Sequence, residues 1–173
     1  TVEANKNGIP VIPEIMIPLV SAKREVELVR ARIDGIASTV RAETTTEFDY
    51  RLGIMVETPR AALRADDIAS SSAFLSFGTN DLTQMTYGLS RDDAGRFMSD
   101  YVKQGVFPED PFHTLDIDGV GELLKMGVTR ARKVKRDIIL SICGEHGGSP
   151  ESISFCRKIG MDYVSCSPFR VPV

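Results

Sequence analysis

Five short apolar runs recur along the chain with helix-period stretches between them, and this alternation limits the possible folds more than any other feature. The runs are Ile15–Val20, Gly53–Thr58, Phe74–Phe77, Ile138–Cys143 and Tyr163–Cys166. Apolar runs this short, bounded by polar or turn residues, read as buried strands. After the first run, Ala22–Val40 carries Val26, Val29, Ile33 and Ile36 at helical spacing. Pro59 suits a helix start and Ala61–Ala69 continues it; Gly119–Val134 and Ser149–Ile159 are further amphipathic stretches. Strands that alternate with helices imply right-handed crossovers and a parallel sheet. The expected class is therefore α/β.

In a parallel sheet every strand points the same way, and ligands gather at the edge formed by the C-terminal ends. That edge collects Glu57, the Asn80–Asp81 pair, the run Cys143–His146 and the turn Ser165–Ser167. Two carboxylates from different strands, with neutral donors beside them, suit a hard divalent ion such as Mg²⁺. The competing reading is that these polar residues cap the helices that follow. Between Asp81 and Gly119 the rhythm breaks into a long, glycine- and proline-marked excursion, which is expected to be a binding loop or lid, the alternative being a packed insertion.

Composition narrows the class. At 173 residues and 42% hydrophobic, the chain can bury a core of its own. A net charge of −3 arises from 24 acids and 21 bases interspersed along the sequence, which argues against nucleic-acid binding. No apolar run reaches membrane-spanning length, and Thr1–Lys6 lacks the layout of an export leader. Cys143, Cys156 and Cys166 are odd in number and lack metal-type spacing, against both a disulfide framework and a zinc site. A reducing, cytoplasmic setting is expected, or a plastid if the source is a plant.

Four stretches carry a resemblance: "GIMVETPRAAL" (53–63), "FLSFGTNDLTQMTYGLSRDD" (74–93), "CGEHGGSPESISFCRKIG" (143–160) and "YVSCSPFRVP" (163–172). Together they resemble the C-terminal phosphoenolpyruvate/pyruvate-binding domain of the pyruvate phosphate dikinase family. Phosphoenolpyruvate synthase and enzyme I of the sugar phosphotransferase system share the G-T-N-D core, but "CGEHGG" with "CSPFRVP" resembles the dikinase more. Ser149 stands where dikinases commonly carry an acidic residue.

The resemblance implies a site, residue by residue. Glu57 and Asp81 match the Mg²⁺ ligands and also touch substrate oxygens. Gly78, Thr79 and Asn80 match the segment that holds phosphoenolpyruvate, and Arg91 matches an arginine that meets the phosphoryl group. Cys143 matches the thiol that exchanges a proton with the methyl or methylene carbon of the substrate. Cys156 falls on an apolar helix face and is assigned to the core; Cys166 is read as a structural strand residue. His146 either orients substrate or bonds its own loop, and His113 is a surface loop residue.

The family domain is an eight-stranded (β/α)8 TIM barrel, whereas only about five parallel strand-helix units are legible here. The expectation is a partial barrel over residues 1–173, a single domain fragment beginning before the fourth strand and ending before the final helix. Its partners would be phosphoenolpyruvate or pyruvate, the phosphohistidine domain of the full-length enzyme and a second copy in a homodimer, with neither nucleic acid nor a membrane. Alone, it would be inactive, with open sheet edges and with Ile15, Ile17 and Val56 short of cover. A non-catalytic dimerisation module is the alternative from another class.

Overall fold

The structure, a computed structural model, describes residues 1–171. After a short helix α1 (Val2–Lys6), the order is β1 (Glu14–Ile17), α2 (Lys23–Thr44), β2 (Arg51–Val56), α3 (Pro59–Leu63), α4 (Ala65–Ala69), β3 (Phe74–Gly78) and α5 (Thr79–Tyr87). Then follow α6 (Arg91–Ala94), α7 (Met98–Lys103), α8 (Val120–Val134), β4 (Ile139–Cys143), a 3₁₀ turn (Glu145–Gly148), α9 (Pro150–Lys158), β5 (Tyr163–Val164) and a last 3₁₀ turn (Pro168–Arg170). All strand pairs are parallel, in the spatial order β1-β2-β3-β4-β5. Strands that advance around a sheet in sequence order, with helices on one side, form an open part of a (β/α)8 barrel. The fold is the expected one.

Register decides which side chains meet. Ile17, Ile54, Leu75 and Leu140 lie in one row, and Val56, Phe77, Ile142 and Val164 in another. Both rows face the helices and join Ala62, Ile68, Leu124 and Val128 in the main core. The opposite face carries Met55, Ser76, Ser141 and Tyr163 in a third row, with the Gly78–Cys143 pair beyond it. Among the described residues no helix covers that face, and Tyr163 and Met16 are exposed there.

α8 packs on α3 and α4 across the β2–β3 region. Gly127 makes this approach possible, because a Cβ there would lie 2.6 Å from the fully buried Phe77 ring. Gly127→Val should therefore lose about 1–3 kcal/mol to overpacking, far more than the few tenths gained in helix propensity. Urea unfolding checks this, and an unchanged midpoint would contradict the packing account.

Four expectations need correction. β1 stops at Ile17 rather than Val20, because Pro18 cannot donate to a ladder and Leu19 turns to φ +52°. The buried stripe of α2 runs from Val26 to Ala37, leaving Ile36 65% exposed, since eleven residues make three helical turns and ten do not. The helix after Pro59 divides at Arg64 into α3 and α4. Cys166 lies beyond the two-residue β5, so it is a loop residue rather than a strand residue.

The uncovered-surface expectation also changes. Ile15 is 37% exposed on the open β1 edge, but Val56 points to the helices and is fully buried. The excursion after Asp81 is less open than expected. Its first turns are α5, and further on Ala94, Met98 and Phe112 form a small second core with Phe97 and Phe107. No helix among the described residues is long and apolar enough to cross a membrane.

Candidate functional site

The site is built on the C-terminal ends of β2, β3 and β4. Glu57 follows β2 by one residue and is 3% exposed. Thr58, not Glu57, caps α3, its hydroxyl accepting from the Ala61 N–H at 3.1 Å. Glu57 is thereby left free of any capping task. Its Oε1 instead accepts a 2.6 Å hydrogen bond from the Leu19 N–H, aimed there by the left-handed turn after β1.

β3 runs straight into α5 with Gly78 as the N-cap residue, so Thr79, Asn80 and Asp81 are the first three residues of that helix. None of the three is a cap. Gly78 is required by close approach, because a Cβ there would lie 2.8 Å from the Glu57 Cβ and 2.9 Å from Oε2. Asp81 stands close enough to Glu57 to raise its carboxyl above the usual range. Its Oδ1 also accepts from Gln84 Nε2 at 3.3 Å, while Gln84 Oε1 accepts from the Arg91 N–H at 2.9 Å. The free N–H groups at the start of α5 favour an anion at this same end.

Cys143 ends β4 in register with Gly78. Its thiol donates weakly to the Phe77 carbonyl at 3.8 Å. Gly144 then turns at φ +119°, pressed against Thr79 Oγ1 and Asn80 Oδ1, each 2.8 Å from where a Cβ would stand. Across this contact Asn80 Oδ1 accepts from the Glu145 N–H at 3.1 Å. Arg91 Nη2 lies 3.8 Å from Glu145 Oε1. The structure thus brings Glu57, Gly78, Thr79, Asn80, Asp81, Arg91 and Cys143 to one edge, in one connected set of contacts.

Electrostatics divide these groups. Burial holds the Glu57 carboxyl above its usual range, the Leu19 N–H pulls it down, and the hydrogen bond and charge of Asp81 raise it again. Burial also raises the Cys143 thiol; a hydrogen bond with Ser76 lowers it, and the Glu57 and Asp81 charges raise it further. Cys143 is therefore a neutral thiol at neutral pH, within reach of both carboxylate fields.

Whether the pair suits Mg²⁺ follows from the donor set. The Asp81 charge bears on the Glu57 carboxyl, and among the described residues neither forms an ion pair with Lys or Arg. A hard divalent cation would relieve that repulsion. Among the described residues no three His, Cys, Asp or Glu side chains cluster, so an ion held by this pair would draw its remaining ligands from waters and substrate oxygens.

Three participants escape sequence reasoning. Leu19 acts through its backbone. Ser76 reads in the sequence as merely small within an apolar strand, yet it shares the face of Gly78 and lowers the Cys143 thiol against the effect of burial. Gln84 lies in the same motif as Asp81, and its spacing of three residues on a helix was the available signal. Other assignments hold: Cys156 is 1% exposed in the core and its thiol is pushed up to about 11 by burial, while His113 is exposed. Ser149 caps α9, accepting from the Ser152 N–H at 3.4 Å. Pro172, at the end of the fourth motif, lies outside the described residues.

Comparison with known proteins identifies the family to which the chain belongs. The chain is 54% identical over 170 residues to "Pyruvate, phosphate dikinase" of Rhizobium meliloti (strain 1021), covering 98% of this chain and 19% of that protein. It is 51% identical to the protein of that name in Clostridium symbiosum, over 97% of this chain and 19% of the relative. A chloroplastic pyruvate, phosphate dikinase of Flaveria pringlei is also 51% identical, over 99% of this chain and 18% of that sequence. The chain thus spans about a fifth of the length of these relatives. Among solved structures, that of citrate synthase SbnG is similar at a TM-score of 0.51 and 12% identity, covering 95% of this chain and 58% of that one. This likeness concerns the fold alone. The family model described as "PEP-utilising enzyme, PEP-binding domain" matches residues 2–173, and the chain belongs to that family.

Proposed function

We propose that this chain is the phosphoenolpyruvate/pyruvate-binding part of a pyruvate phosphate dikinase. In the full enzyme it would accept or return a phosphoryl group carried by a histidine on another domain, within the conversion of ATP, phosphate and pyruvate to AMP, diphosphate and phosphoenolpyruvate. The observation that carries this reading is the convergence of buried Glu57, Asp81 and the neutral Cys143 thiol at adjacent strand ends. A dimeric, cytoplasmic or plastid enzyme is part of the same proposal.

Each residue has a task that its surroundings support. Glu57 and Asp81 would hold Mg²⁺, which when bound supplies Lewis-acid stabilisation of the enolate oxygen. The Asn80 amide NH₂, left available because its Oδ1 is engaged by Glu145, can donate to a carboxylate or phosphoryl oxygen. The Thr79–Asp81 backbone offers helix N-terminal N–H groups to the same anion. Arg91 supplies a guanidinium fork near the mouth. Cys143 gives its proton to the substrate carbon in the direction of pyruvate and takes one back in the other. A thiol that stays protonated at neutral pH is suited to the first task.

Calorimetric titration of the protein with phosphoenolpyruvate, with and without Mg²⁺, tests the binding reading. Saturable heat that requires Mg²⁺ is expected. Identical isotherms with and without the ion would rule out the Glu57–Asp81 pair as the holder of the substrate complex.

A further inference from the structure

His146 is fully buried at the sheet edge, yet none of the chemistry above uses it. Its ring joins three parts of the chain that are distant in sequence. Nε2 lies 2.9 Å from the Pro111 carbonyl oxygen in the excursion, and Nδ1 lies 2.7 Å from Thr79 Oγ1 at the start of α5. A carbonyl only accepts, so Nε2 carries a proton. Burial pushes the imidazole below its ordinary 6.5 and keeps the ring neutral, so Nδ1 is bare and accepts from the Thr79 hydroxyl. Thr79 Oγ1 is also 3.1 Å from the Cys143 carbonyl oxygen, but with a single proton it serves the shorter contact.

We propose, on the phosphoenolpyruvate/pyruvate reading of this site, that His146 is a positioning residue: through Thr79 it holds the turn carrying Cys143 in register with the helix end carrying Asn80 and Asp81. The geometry gives the clamp its effect. Gly144 is wedged between Cys143 and Glu145 directly against Thr79 Oγ1 and Asn80 Oδ1, with no room for a methyl group. Two cross-links flank that wedge, His146–Thr79 and Glu145–Asn80. Release of the first lets the β4 turn slide along α5 and moves the thiol relative to the carbon that it must protonate. The Pro111 bond extends the same clamp to the excursion, whose small aromatic core also packs on the end of α5 through the Tyr87–Phe107 edge contact at 5.3 Å.

Two variants separate the ends of the imidazole. In His146→Asn the amide sits near the position of Nδ1 and can still accept from Thr79, while the Pro111 bond is lost. In His146→Gln the amide reaches the position of Nε2 and can still donate to Pro111, while the Thr79 bond is lost. In a full-length dikinase carrying this chain, His146→Gln should slow exchange of pyruvate methyl protons with solvent by about 10²-fold, the scale expected for a displaced reacting group. The KM for pyruvate should change far less than kcat, and His146→Asn should stay near the parental rate. Thr79→Val should match His146→Gln, and the double variant should be no slower than either single one. Formation of the phosphohistidine and the thermal midpoint, measured on each variant, report loss of the fold separately. Equal slowing in Asn and Gln variants of unchanged midpoint would overturn the clamp, as would parental exchange in both. A parent that exchanges no methyl protons would instead overturn the site reading on which the clamp rests.

Discussion

Asp81→Ala in the full-length enzyme should reduce turnover by at least about 10³-fold, equivalent to roughly 4 kcal/mol of transition-state stabilisation. The size of the effect follows from position. Glu145 at the same edge faces Arg91, and Asp81 is the carboxylate that stands in the first turn of α5 beside buried Glu57. Its removal leaves one carboxylate for a cation that uses one or two together with substrate oxygens. Mg²⁺-dependent binding of phosphoenolpyruvate, read by calorimetry, should weaken in parallel. Asn80→Ala should cost less, about 2–4 kcal/mol, as for one preorganised donor. The pH dependence has a definite sign. Because burial and Asp81 hold Glu57 protonated to higher pH than usual, metal must displace a proton. Affinity for Mg²⁺ should therefore rise with pH through and above the ordinary carboxylate range. Retained turnover in Asp81→Ala, or a pH-independent Mg²⁺ affinity, would remove the metal role.

How far this site could be read from sequence depends on the kind of signal each residue leaves. Glu57, Asp81 and Cys143 were legible because each follows an apolar run, and parallel strands must bring such ends together. The capping alternative was equally consistent with sequence. It fails on residues that periodicity cannot rank: Thr58 caps α3, and Gly78 is the N-cap of α5, which frees Glu57 and Asp81 for other work. Leu19 left no signal, since its contribution is one backbone N–H directed by a positive φ. His146 was ambiguous for a different reason. Its partners Thr79 and Pro111 stand 67 and 35 residues away, and only the closed contact shows that the ring bridges them. Ile36 fails in the opposite sense, because an apolar residue one position off the stripe of a long helix is read as core until the phase is fixed at both ends.

Cys143→Ala should abolish, by about 10²–10⁴-fold, the exchange of pyruvate methyl protons with solvent, the range expected when a positioned proton donor is lost. Net formation of pyruvate should fall with it, whereas phosphorylation of the histidine on the other domain should proceed as before. The sequence offers two rival thiols, and the structure separates them. Cys156 is sealed in the core, with its thiol pushed up to about 11, and cannot meet a substrate. Cys166 is partly exposed beyond β5, whereas Cys143 stands in register with Gly78 beside Ser76. An alkylating reagent should accordingly reach Cys143 well before Cys156. The pH profile discriminates further. Burial raises the Cys143 thiol above its ordinary 9.0, so the proton-donating form prevails across the neutral range. Protonation towards pyruvate should be flat with pH there, while proton abstraction, which needs the thiolate, should climb with pH and level off only above that value. Exchange undiminished in Cys143→Ala would transfer the role to Cys166, and a profile that levels off near neutrality would show that the thiol is not the group being titrated.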